Sequence, residues 1–199
     1  MPRWEADAAG RLQRAALELF DERGFDRTTV AEIAKRAGLN ERSFYRYFAD
    51  KREVLFDGDG NLEAYLTQAL EAAPAGLSPL DAMLAILADA ARMFLPKELL
   101  RTRERVIEAN PQLRERELIK MAAIHAALVS TLQARGADET TARIAADMAI
   151  SIWRVAAGRW LHGDDSTFAA EVRDVTGQLR RIAAGSHADA EGEAAAAPL

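Results

Sequence analysis

The chain has 199 residues, 49% hydrophobic and 29% charged, with no cysteine and a formal net charge of −5. That length allows one or two domains with a sizeable core, and the missing cysteines exclude disulfide frameworks and thiolate zinc sites. His125, His162 and His187 stand in no metal-ligand spacing, no apolar run approaches the ~18 residues of a membrane span, and the opening "MPRWEADAAGR" lacks a signal-peptide core, so the expectation is a cytoplasmic protein with no membrane association and no cofactor.

Alanine is abundant, β-branched runs are scarce, and there is no strand pattern, so the expected fold is all-α. "RLQRAALELFDERG" puts Leu12, Ala15, Ala16, Leu19 and Phe20 on one helical stripe, with Gly24 as the C-terminal cap. "TTVAEIAKRAG" opens with Thr29 and Glu32 at capping-box spacing and ends at Gly38. Asn40 caps a further short helix. Asp50 and Glu53 repeat the cap logic for a fourth helix starting near Lys51 and interrupted or kinked at Gly58 and Gly60. Ser78-Pro79 and Asn110-Pro111 read as cap plus first-turn proline pairs. Later helices are expected at Pro79 to Phe94, Lys97 to Ala109, Pro111 to Arg135, Glu139 to Leu161 and Thr167 to Ile182. The end of the chain, "AAGSHADAEGEAAAAPL", is small, polar and unpatterned, and reads as disordered. The resulting division is 1–56, 57–184 and a tail over 185–199.

Two short helices joined at Gly38 make a helix-turn-helix. From Arg27 to Arg52 the local charge is +4 against −9 for the remainder, a basic island on an acidic body. At 100° per residue, Phe44 and Phe48 share an inward face of the second helix. Arg42 and Arg46 project outward, flanked by Ser43 and Tyr45, with Glu41 and Tyr47 nearer the edges. A helix of this shape fits the DNA major groove, where Arg pairs with guanine and Glu accepts from cytosine, while Tyr hydroxyls and helix N-termini suit phosphates. The alternative is an amphipathic helix inside a bundle.

The run "FDRTTVAEIAKRAGLNERSFYRYFADKREVLF" resembles the DNA-binding segment of the tetracycline-repressor (TetR) family, through Thr29, Val30, Ile33, Ala34, Ala37, Gly38, Tyr45, Tyr47, Phe48, Lys51 and Leu55. Leu39, Asn40 and Ser43 replace the commoner Val, Ser and Thr. The resemblance covers the first quarter of the chain. It implies a three-helix helix-turn-helix DNA-binding domain followed by a larger helical ligand-binding and dimerisation domain. It also implies phosphate contacts from Thr29, Tyr45, Tyr47 and Lys51, and base contacts from Glu41, Arg42, Ser43 and Arg46, with Asn40 at the helix start.

One recognition helix reads few base pairs, so a homodimer on a palindromic double-stranded operator is expected. Phe168, Val172, Val175 and Leu179 form an apolar seam on the last helix, and Ile144, Ala145 and Ala149 a second on the one before. Either these seams join two copies in a four-helix bundle or each packs within its own subunit. A small apolar or amphipathic effector is also expected, with Met93, Phe94, Met121, His125, Met148, Ile152 and Trp153 as candidate pocket residues that could equally be core. His125 either orients a polar ligand group or is a satisfied core histidine. No nucleophile, phosphate-loop or metal motif points to an enzyme. The expected function is thus a ligand-responsive regulator, with a repressor favoured over an activator; a helical adaptor retaining the helix-turn-helix is the competing reading.

Overall fold

The computed structural model describes residues 8–56, 62–90, 96–163 and 166–194. Among them the regular elements are all helical: α1 (Ala8–Arg23), α2 (Val30–Arg36), α3 (Glu41–Tyr47), a 3-10 turn at Glu53–Leu55, α4 (Leu62–Ala72), α5 (Pro79–Ala90), α6 (Lys97–Glu108), α7 (Pro111–Ala134), α8 (Glu139–His162) and α9 (Phe168–Ala194).

The short helices are held by their ends. Thr29 caps α2 in a reciprocal box with Glu32, and Asn40 caps α3 by accepting from the Ser43 amide at 2.9 Å. Gly38, at φ +70, lets the chain reverse after α2. The Gly38 amide then donates to the Lys35 carbonyl and the Leu39 amide to that of Ala34, a Schellman closure. Ser78 caps α5 through the Asp81 amide. Asn110, expected to cap α7, instead donates its side-chain amide to the Val106 carbonyl at 2.6 Å. It serves the orphan end of α6 rather than the start of α7.

The fourth helix, expected to start near Lys51, opens as a 3-10 turn, and the next described α-helix, α4, begins at Leu62. Asp50 does accept from the Arg52 and Glu53 amides, at 2.7 and 3.2 Å, but the chain then makes a single 3-10 turn. Glu53, Val54 and Leu55 are consecutive and all buried. Three consecutive residues point in different directions around any helical turn, so the burial of all three means that the turn is enclosed on several sides. Gly58 and Gly60 lie outside the described residues. At the other end, α9 runs past Ile182 to Ala194. The part of the tail over 185–194 is therefore helical rather than disordered, in keeping with its alanine content.

Three apolar clusters organise the chain. The first joins α1, α2, α3 and the 3-10 turn around Phe44 and Phe48, and it also takes in Val106, Ile107 and Leu113 from α6 and α7. The helix-turn-helix core therefore does not close within residues 1–56. The second cluster lies among α4, α5, α7 and α8. The third packs Phe168, Val172 and Val175 of α9 on Ile152 and Ala156 of α8.

That third cluster corrects the seam expectation. Phe168, Val172 and Val175 are buried inside their own chain, Leu179 packs partly buried beside them, and Ala145 and Ala149 belong to the second core. An apolar stripe needs a cover, and here α5 and α8 of the same chain provide it. Of the seven seam residues, Ile144 faces solvent, at 53% exposure.

Candidate nucleic-acid interface

The outward strip of α3 rests on a buried foundation. Phe44 and Phe48 are 0% and 1% exposed, with ring centroids 5.4 Å apart. Burying two phenylalanines contributes about 1.5–3 kcal/mol each and fixes the rotation of the helix. Glu41, Arg42, Tyr45 and Arg46 consequently face solvent, and Ser43 and Tyr47 are half-buried.

Within that strip the side chains differ in availability. Glu41 and Arg42 have no side-chain hydrogen bond or ion pair with any described residue. Tyr45 is 57% exposed and touches only the edge of Phe44 among the described rings. The Ser43 hydroxyl, assigned to base reading, donates to Asn40 Oδ1 at 3.1 Å and completes the cap. Arg46 folds along its own helix, donating to the Tyr47 hydroxyl at 2.7 Å with its guanidinium 4.8 Å from that ring. Thr29 is likewise engaged: its amide and hydroxyl both donate to Glu32 Oε2, at 2.9 and 2.8 Å. These two bonds hold the Glu32 carboxyl below the usual range.

Lys51 departs furthest from expectation. Expected to be a phosphate clamp, it instead turns into the protein. Its Nζ donates to the carbonyls of Phe25 and Thr28, at 2.7 and 2.8 Å, and lies 4.2 Å from the centre of the Phe25 ring. Partial burial lowers its pKa. Lys51 thus ties the end of the α3 segment to the loop that launches α2.

Sequence reasoning missed several neighbours. Thr28 is 1% exposed and donates to the carbonyls of Leu19 and Gly24, tying the start of α2 to the end of α1. Arg36 forks onto Glu22 at 2.9 Å and Glu18 at 3.2 Å, locking α2 against α1 and lowering the Glu22 pKa. Glu18 and Glu22, four apart on one face of α1, were the available signal. Arg27 donates to the Arg23 carbonyl, and Arg52 pairs with Asp50. Of the seven cations in the basic island, Lys35 and Arg42 have side chains without a described partner. The island is largely an internal brace, and a smaller part of it faces outward.

Those of the expected effector residues that are described fall in different surroundings. Met93 and Phe94 lie outside the described residues. Met121 and Trp153 pack against the second core, Ile152 is buried in the third, and Met148 is half-buried on α8. His125 lines an open groove of about 280 Å³ between α7 and α8, shared with Val129, Ser130 and Arg143. Its Nε2 is 2.9 Å from Asp147 Oδ1 but out of line for a hydrogen bond. Among the described residues no group of three or more acids and histidines could hold a metal ion, and no helix is long and apolar enough to cross a membrane.

These elements define an all-helical protein with an N-terminal helix-turn-helix whose second helix presents arginine, glutamate and tyrosine. Residues 12–57 match the model for bacterial regulatory proteins of the tetR family. The regulator TcmR of Streptomyces glaucescens is 42% identical over 73 residues, which cover 37% of this chain and 32% of TcmR. The putative mycofactocin biosynthesis regulator MftR of Mycobacterium tuberculosis is 28% identical over 132 residues, covering 65% of this chain and 66% of MftR. Among solved structures, native NalD of Pseudomonas aeruginosa superposes with TM-score 0.58 at 19% identity, over 88% of this chain and 96% of that one. A transcriptional regulator from Aquifex aeolicus VF5 gives 0.56 at 19% identity, over 88% and 99%. The N-terminal segment of the chain is thus similar to the DNA-binding segment of TetR-family transcriptional regulators, and the fold of the whole chain to that of solved regulators. The matched segment spans about a third of TcmR, so the likeness rests on the helix-turn-helix end.

Proposed function

We propose that the protein is a sequence-specific DNA-binding regulator that acts from the cytoplasm as a homodimer on a palindromic operator. The carrying observation is the division of α3: Phe44 and Phe48 are fully buried, while Glu41, Arg42 and Tyr45 stand free on the opposite side. An amphipathic bundle helix also leaves one face to water; what favours the helix-turn-helix reading is the exposed aromatic Tyr45 beside Glu41 and Arg42 on that face, a set suited to the major groove. Glu41 and Arg42 read base edges at the start of α3. Tyr45, Tyr47 and the capped N-terminus of α2 at Thr29 meet phosphates, Arg46 joins them by releasing Tyr47, and Asn40 and Ser43 hold the helix end in place. Residues 1–56, completed by the ends of α6 and α7, form the DNA-binding unit. The helices to 184 form the body.

The dimer uses the surface of α8 and α9 that their internal packing leaves open, marked by Ile144 at 53%, Val155 at 47% and Ile182 at 71% exposure. A small apolar or amphipathic effector, entering the helical body beside Met121 and Trp153, releases the operator, so that the protein represses by occupying it. Selection from a random duplex library followed by mobility shift tests the reading. Enrichment of a palindrome supports it, whereas no enriched duplex with an intact fold would favour an adaptor. A monomer by sedimentation at micromolar concentration would remove the dimer, and a thermal-shift panel in which only highly charged molecules stabilise the chain would remove the apolar effector.

A further inference from the structure

The 3-10 turn behind the recognition helix carries a buried carboxylate beside an apolar cluster. Glu53 lies between Val54, Leu55 and the first cluster, with a side chain 6% exposed. Both of its oxygens are occupied by cations from α7. Arg116 Nε donates to Oε1 at 2.7 Å, and Lys120 Nζ lies 2.9 Å from Oε2. Arg116 and Lys120 are one helical turn apart, so they close on the carboxylate from the same face of α7. Next to them Arg103 of α6 donates to the Leu55 carbonyl at 2.8 Å, sets its guanidinium 5.2 Å from the Phe56 ring centre, and pairs with Glu117 of α7 at 3.0 Å. Three cations from two body helices thus grip a single turn of three residues.

Burying a carboxylate is costly, and apolar residues of similar volume usually stabilise a core as well or better. What an ion cluster adds is direction: hydrogen bonds from fixed donors admit one orientation, whereas apolar packing tolerates sliding. The turn is also stiffly joined to α3. Phe48 and Leu55 share one core, and Asp50 accepts from the Arg52 and Glu53 amides between them. Whatever sets the turn therefore sets α3.

We propose that Glu53, Arg116 and Lys120 are positioning residues for DNA recognition: α7 fixes the angle of the recognition helix through the buried Glu53 carboxylate, without touching DNA. This rests on the DNA-binding reading above. The test uses the full chain, the duplex that the wild-type chain selects from a random library, and a random duplex of equal length, at a temperature where circular dichroism shows every variant folded. Arg116→Ala is expected to weaken the selected duplex about tenfold, about 1.4 kcal/mol, with the random duplex and the salt slope unchanged. Arg116→Lys, which keeps a cation within reach of Glu53, is expected to recover part of that loss. Equal loss on both duplexes, or a shallower salt slope, would mean direct phosphate contact and overturns the proposal; no loss on either duplex overturns it too. Should Arg116→Ala not fold, Lys120→Gln, which leaves Arg116 on Glu53, is read by the same criteria. Failure of the wild-type chain to select any duplex sinks the underlying reading, separately from these outcomes.

Discussion

Replacing Lys51 with methionine separates its two candidate roles. The substitution keeps the apolar stem and removes the ammonium, so it deletes two charge-assisted hydrogen bonds, to the Phe25 and Thr28 carbonyls, and the contact with the Phe25 ring. Such hydrogen bonds contribute about 1.5–3 kcal/mol each, and a cation over an aromatic ring about 0.5–1 kcal/mol at a partly exposed site. The carbonyls regain some water and the desolvation of the ammonium is relieved, so the low end applies and the net loss is about 2–3 kcal/mol. For a chain of this length that corresponds to a Tm lower by roughly 5–10 °C. Differential scanning calorimetry measures the loss, and a salt titration of DNA binding measures the number of phosphates neutralised. The expected pair of results is a lowered Tm with an unchanged salt slope. An unchanged Tm, with a slope shallower by about one unit, would show that Lys51 leaves the carbonyls for a phosphate and would refute the brace.

Arg42→Ala should leave stability unchanged, because the side chain is exposed and has no described partner, yet weaken the selected duplex by about 1–3 kcal/mol and relax preference at one base position, as read by repeating the library selection. Gly38→Ala places a Cβ in open space but at φ +70, so urea denaturation should register about 1–2 kcal/mol of backbone strain, and less for Gly38→Asn. Asp50 has its carboxyl held below the usual range, first by the Arg52 guanidinium. A depressed carboxylate contributes stability that is complete above its unfolded pKa near ~3.9 and is lost as pH falls through the lower folded value. The Tm gap between wild type and Asp50→Asn should therefore be widest at neutral pH and shrink below about pH 4; a gap that stays constant down to pH 2 would remove Asp50 from the account.

Features decided within a few residues were legible in the sequence. The Thr29 box, the Asn40 cap and the Gly38 reversal are local chemistry, and the structure has all three. The inward turn of Phe44 and Phe48 also followed from helical periodicity. Features decided by distant partners were not legible. An apolar stripe such as Phe168, Val172 and Val175 states that it needs a cover but not which helix supplies it, and α5 and α8 of the same chain were reached first. A long lysine can point to either side of a loop, and only the positions of the Phe25 and Thr28 carbonyls decide for Lys51. Glu53 looked like a cap residue because its partners, Arg116 and Lys120, stand more than sixty residues away. Met121, His125 and Ile152 share plausible pocket chemistry, yet helix rotation sends them to different surroundings.

Val106, Ile107 and Leu113 complete the apolar cluster that supports α3. The helix-turn-helix end of this protein is consequently a discontinuous module in the gene. A chimera cut after residue 56 would graft a recognition helix whose floor has been left behind in the donor, and would meet the host's α6 and α7 with mismatched knobs. Exchanging this end between proteins of the same fold, by recombination or by design, should succeed when these three residues travel with the first 56 and fail when they do not.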